Sequence, residues 1–135
     1  MAITTKPIRN LVFKDLDLNF GIHPNNKKLN ILKDDLAILR SLKNLIMTDF
    51  YERPFHPEIG CNLRSMLFDN ILPSTAKSIK NTIIETVNNF EPRIQLNDVT
   101  VIVSPENNGY NVLLEYFIIN SSTSKRSSFF LERIR

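Results

Sequence analysis

The chain carries one cysteine, Cys61, and three glycines among 135 residues. A lone cysteine makes no internal disulfide and offers a metal a single thiolate. So few glycines argue against a propeller, a collagenous segment or a glycine-rich phosphate loop, and no Gly-x-x-x-x-Gly-Lys sequence occurs. No Gly-x-Ser-x-Gly nucleophile elbow is present either. No apolar run approaches the roughly 18 residues that span a bilayer. The opening Met-Ala-Ile-Thr-Thr-Lys lacks the apolar core of a signal peptide, so a protein made and folded in a cytosol is expected. Without a secretory signal, the glycosylation acceptor Asn120-Ser121-Ser122 carries no meaning.

What is present is ordinary globular composition: 42% apolar and 23% charged residues. The length suits one domain, since domains cluster near about 100–150 residues. Such a chain buries roughly two thirds of the surface its unfolded form exposes, enough for one core. The pI of 9.1 rests on a net charge of only +3. The densest basic runs, Lys27-Lys28 and Lys125-Arg126, fall in apparent loops, which argues against a dedicated nucleic-acid face.

Periodicity divides the chain. In residues 1–33, Leu16, Leu18 and Phe20 alternate with Asp15, Asp17 and Asn19, a strand-like pattern followed by loop signals from Gly21 to Lys28. An N-terminal arm or short strand is expected there, with one domain over residues 34–135. From Asp34 to about Thr48, Ile38, Leu39, Leu42, Leu45 and Ile46 form a helical stripe, and Asp34 and Asp35 suit the first turn. Residues 51–61 hold Pro54 and Pro57 and are irregular. A short helix follows near Leu63–Asp69. A second long helix starts at Pro73-Ser74-Thr75, either hydroxyl being able to cap it. It presents Ala76, Ile79, Ile83, Val87 and Phe90 on one side and ends before Pro92.

The last third reads as three strands: Val99–Val103, Tyr110–Ile119 and Ser127–Arg135. Asn108-Gly109 is the hairpin signal, and Ser121–Arg126 a polar loop. The order predicts an α+β fold: an extended N-terminal segment, two long helices with a short one between, then a three-stranded, mainly antiparallel sheet. In the middle strand Val112, Leu114, Tyr116 and Ile118 lie on one face and Leu113, Phe117 and Ile119 on the other. Apolar residues on both faces require cover on both, from helices or from another protein.

Few residues suggest chemistry. His56-Pro57-Glu58 matches a His-x-Glu element of zinc deaminases, but the required Pro-Cys-x-x-Cys is missing. Cys61 has no neighbouring base to make it a nucleophile, and a half-buried thiol is expected. Glu52, Glu58, Glu85 and Glu91 have the residue type for glycoside hydrolysis, which needs two carboxyls and a raised pKa on the acid. Arg93 beside Glu91 favours the ionised carboxylate and opposes that role. No catalytic residue, metal or cofactor is expected. In Glu91-Pro92-Arg93, proline stiffens a helix exit carrying both charges. The pair forms either an internal ion pair or a contact to a partner, for which the Arg fork is suited.

Three stretches together resemble the baseplate wedge and sheath-initiator family of T-even-type contractile-tail phages. They are Arg53-Pro54-Phe55-His56-Pro57-Glu58-Ile59-Gly60-Cys61, Leu67-Phe68 and Phe90-Glu91-Pro92-Arg93. The likeness extends from about Leu36 to Ile119, and the type VI secretion baseplate has a similar wedge component. It implies a non-enzymatic structural subunit of the virion tail baseplate, arranged sixfold around the tube. It implies that Glu91, Pro92 and Arg93, with Arg53 as a further candidate, meet the wedge's helical core bundle. The sheet would receive strands from the first ring of sheath subunits, and Phe129, Phe130, Leu131, Tyr116 and Ile118 are the candidates for that contact. Other wedge proteins and tube or hub neighbours are the remaining partners implied; nucleic acid and membrane are not. Some members carry a lysozyme label, and an anti-adaptor of bacterial stress response shares the domain. A regulatory binding protein and a peptidoglycan hydrolase are therefore the alternatives.

Overall fold

The computed structural model describes residues 13–119, 121 and 123–134. The first twelve residues of the expected arm, Asn120 and Ser122 of the polar loop, and Arg135 lie outside them. By contacts the chain forms two compact units, residues 1–38 and 39–135.

In the first unit, β1 (Lys14–Leu16) and β2 (Ile31–Lys33) pair antiparallel, with Lys14 opposite Lys33. The alternation expected through Phe20 stops at Leu16. Asp17 accepts from Asn19 N at 3.1 Å through its side chain and from Phe20 N at 2.9 Å through its carbonyl, which turns the chain. Leu18, Phe20 and Ile22 stay exposed.

Helix α1 (Asp34–Met47) begins with Asp34 and Asp35 as expected, and Ala37, Ile38, Leu42, Leu45 and Ile46 are buried along it. Leu39, expected on the same stripe, is exposed. Helix α2 (Leu63–Leu67) is short. Helix α3 (Pro73–Phe90) buries Ala76, Ile79, Ile83, Thr86 and Val87 and packs against the first strand of the sheet. Neither Ser74 nor Thr75 caps α3. Leu72 is the capping position, without a side-chain bond, because Pro73 takes the first helical position, where a missing N–H costs nothing.

Three antiparallel strands follow, in the order β3 (Ile94–Ser104), β4 (Gly109–Ile118), β5 (Ser124–Glu132). The α+β class and the strand order agree with expectation, but β3 starts earlier than Val99. The register shifts between Leu96 and Asp98, so Asn97 is an extra residue. Ile94 and Leu96 face the same side as Val99, Val101 and Val103, although their parity differs. A bulge breaks the period-two pattern, which hides the first half of the strand from a reading by alternation. Likewise Ser124, Lys125 and Arg126, read as loop, belong to β5 and pair with Phe117, Tyr116 and Glu115. Polar residues on an edge strand look like loop in sequence. Asn108 takes a positive φ of 51° at the β3–β4 turn, as its hairpin signal implies.

Among the described residues, the sheet has one covered face. Tyr110, Val112, Leu114, Tyr116 and Ile118 are buried, flanked by Val99 and Leu131. On the opposite face the rows across the strands are Ile102, Asn111 and Phe130; Thr100, Leu113 and Ser128; Asp98, Glu115 and Arg126; and Gln95, Phe117 and Ser124. Ile102, Leu113 and Phe130 are exposed there. Helices of this chain thus do not cover Ile102, Leu113 and Phe130 on the second side, where polar residues alternate with them.

Candidate functional site

The Glu91-Pro92-Arg93 turn leaves the end of α3 directly before β3. Glu91 is almost fully buried, at 3% exposure. Arg93 Nε donates to Glu91 Oε1 at 2.6 Å and Nη2 to Oε2 at 2.8 Å. Ser41 Oγ, from α1, donates to the same Oε2 at 2.7 Å. The ion pair internal to the turn, one of the two readings open from sequence, is formed. Burial raises the Glu91 pKa, but the Arg93 and Ser41 hydrogen bonds and the Arg93 charge outweigh it and hold the carboxyl below its ordinary value. The side of the turn that faces outward consists of exposed Pro92 and part of Arg93.

Nothing in the sequence marks Ser41 as a partner of Glu91. It lies fifty residues from Glu91, and a serine on the polar side of a helix carries no local signal of such a partner.

Arg53 sits in the irregular segment after α1, and there it is exposed. Its carbonyl accepts from His56 N at 3.4 Å, but no bond joins its side chain to the Glu91 turn among the described residues. The segment is closed by Cys61 N donating to Thr48 O at 2.8 Å and Tyr51 N to Pro57 O at 2.9 Å. Gly60 is required at this closure, because a Cβ there would lie 2.8 Å from Thr48 O. Tyr51 and Phe55 both take φ of 68° and point outward, 85% and 97% exposed. His56 Nδ1 and Glu58 Oε1 are 3.2 Å apart at the surface.

Cys61 is buried completely, more than expected, and desolvation pushes its thiol up to about 11. A thiol so protonated is a poor nucleophile. Among the described residues, no three His, Cys, Asp or Glu side chains come together as metal ligands would, and no helix is long and apolar enough to cross a membrane.

The five candidates on the sheet separate. Tyr116, Ile118 and Leu131 are 3%, 7% and 1% exposed. Their side chains belong to the core, and β4 already has a neighbour on either side. Phe129 is half-buried and Phe130 exposed. Among the described residues, strand β5 pairs with β4 alone, so its other edge is what these residues offer: backbone donors and acceptors, with Phe130 beside them.

Comparison with known proteins adds a family and a fold. The family model for baseplate wedge protein gp25 matches residues 33–122. Baseplate wedge protein gp25 of Enterobacteria phage T4 is 42% identical over 81 residues, which are 57% of this chain and 60% of that protein. The match thus spans less than two thirds of that relative's length. A crystal structure of a protein described as a tail lysozyme from Geobacter sulfurreducens aligns with a TM-score of 0.65 at 26% identity, covering 73% of this chain and 89% of that one. A chain of the anti-feeding prophage baseplate aligns at 0.63 and 19% identity, covering 92% and 88% respectively. At these last identities the likeness is one of fold.

Proposed function

Because this chain belongs to the baseplate wedge protein gp25 family, we propose that it is a structural subunit of a contractile-tail baseplate and starts the sheath by accepting a strand at the free edge of β5. The observation that carries this reading is the edge itself. Among the described residues, β5 stands at the end of the strand order, with β4 as its strand neighbour. Natural sheets blunt or cover such edges unless they are used. In strand addition the backbone provides affinity and neighbouring side-chain pockets provide specificity. The added strands would come from the first ring of sheath subunits, each contact burying more than about 1,000 Å² if specific.

The second contact lies at the turn. Pro92, the outward part of Arg93 and the exposed Arg53 would meet the helical core bundle of the wedge, with Glu91 acting through Arg93 by fixing its fork. Copies would stand sixfold around the tube in the virion tail, beside other wedge proteins and tube or hub neighbours.

Catalysis is not part of this reading. A general acid for glycoside hydrolysis needs a raised pKa, whereas the carboxyls of Glu58 and Glu91 are both lowered, the first by a backbone hydrogen bond and by His56. The tail-lysozyme description of one structural relative is therefore not extended to this chain. Purified protein should clear no peptidoglycan suspension; a wild-type rate lost in Glu58→Gln or Glu91→Gln would establish an enzyme.

Assembly is tested with virions carrying a proline in β5. Loss of an edge donor should leave baseplates with tubes and no sheath. Normal sheaths on such particles would put the docking surface elsewhere. Arg53→Glu should leave a natively folded monomer that enters wedge complexes poorly.

A further inference from the structure

Beside the end of β5 lies a cavity of about 360 Å³, lined by Ile46 and Met47 of α1, Leu63, Arg64 and Leu67 of α2, Asp49, Glu52 and Ile134, and three successive β5 residues, Phe130, Leu131 and Glu132. Successive strand residues point to opposite faces. A space touched by three in a row, and by none of β4, therefore lies against the strand's outer edge and not over one face of the sheet. The chain leaves the strand beside this space, where Ile134 N donates to Leu67 O at 3.0 Å and both residues line it. The floor is aliphatic. The rim holds three carboxylates, Asp49, Glu52 and Glu132, against one guanidinium, Arg64. That guanidinium already faces Asp49 at 3.8 Å.

We propose that this cavity is the specificity pocket of the β5 edge. It takes a bulky aliphatic side chain from the added strand, with a lysine or arginine close by in the same segment meeting the acidic rim. The inference rests on the strand-addition reading and adds to it the chemistry of the occupant. An aliphatic anchor fits because the floor offers Ile46, Leu63, Leu67 and Leu131, and few groups there could pair with a buried polar one. A cation fits because the rim's carboxylates outnumber its single guanidinium, and attraction of this kind is screened by salt.

The test uses the full chain and the purified sheath subunit of the same virion as the probe. Four variants are compared with wild type by titration, after circular dichroism has checked the fold: Met47→Trp, which fills the mouth from an exposed position; Glu52→Lys with Glu132→Lys, which reverses the rim; and Phe129→Pro and Phe130→Pro separately. Neighbouring residues of an antiparallel edge strand send their N–H groups in opposite directions. One of the two prolines thus removes a bond to β4 and the other a donor on the free edge, and the variant that keeps the native fold is the informative one.

Expected is a loss of affinity of about tenfold or more for Met47→Trp and for the edge proline, as when a buried anchor is removed. The reversed rim should weaken binding and abolish the wild-type decline of affinity with rising salt. If the edge proline weakens binding while the cavity and rim variants bind as wild type does, the pocket inference is overturned and strand addition stands. If the cavity variants lose binding and the edge proline does not, the occupant is not an added strand and the inference fails as stated. Wild-type binding by all variants, or no binding by wild type, removes the strand-addition reading and this inference with it.

Discussion

Two turns of this protein share one formula, an ionisable residue, a proline and an ionisable residue of opposite sign: His56-Pro57-Glu58 and Glu91-Pro92-Arg93. Their surroundings differ. In the first, both side chains are more than half exposed and joined by one contact of 3.2 Å. In the second, the carboxylate is buried, doubly bonded by Arg93 and bonded a third time by Ser41. An exposed pair gains little, because water solvates each partner as well as the other does. In a buried pair, each partner compensates a desolvation that nothing else would repair. The same tripeptide pattern is a surface ornament at one place and a structural clamp at the other, and burial decides between them.

Arg93→Ala should break this contrast most severely. It leaves the Glu91 carboxylate buried without its cation, held by Ser41 and the backbone of residue 93, a change that costs about 3–5 kcal/mol for pairs of this kind. A lowered urea midpoint with an unchanged slope would confirm it. An unchanged midpoint would make the clamp no stronger than the exposed pair. The charge reversal Arg93→Glu is expected to unfold the protein and so to tell nothing about a partner.

Ser41→Ala removes one hydrogen bond to a charged group and should cost about 1.5–3 kcal/mol. A double-mutant cycle with Arg93→Ala would show coupling, since the two donors share one carboxylate.

Acid sharpens the comparison further. The Glu91 pKa is lowered on folding, so its contribution is complete above the ordinary value of 4.5 and is lost as pH falls through the lowered folded value. Wild type should lose stability over that window more steeply than Arg93→Ala, whose carboxyl no longer has its main partner. Parallel pH profiles would contradict the shift.

The smallest effect belongs to the exposed turn. His56→Ala and Glu58→Gln should leave the unfolding midpoint where it is. A measurable shift in either would mean that the loop from Asp49 to Cys61 depends on that pair as well as on its backbone bonds.

The helices were legible because their signals are local. The stripe of α3 and the pair of prolines at Pro73 and Pro92 fix its two ends. The turn at Asn108 was legible for the same reason. The start of β3 was not, because the Asn97 bulge changes the phase of the pattern midway. Nor was the start of β5, because Ser124, Lys125 and Arg126 owe their strand conformation to β4 and not to their own preference. At the candidate sites, residue type identified Glu91 and Arg93 but could not say that they face each other. It also could not tell that Tyr116 and Ile118 turn inward while Phe130 turns out. These outcomes depend on partners far away in the chain, as Ser41 shows for Glu91.

The bulge at Asn97 has a consequence for the spacing of the two proposed contacts. The Glu91 turn and the body of the sheet are joined by one continuous strand, and the extra residue sits between them like a shim. It shifts the alternation by one step, so that Ile94 and Val99 can both face the core. Deleting Asn97 would leave the chain a choice between two errors. Either Ile94 and Leu96 rotate outward with the clamp intact, or they stay inward while the clamp is pulled one residue toward the sheet. Amide exchange on such a variant would show which is the weaker fastening, by which of the two ends loses protection first.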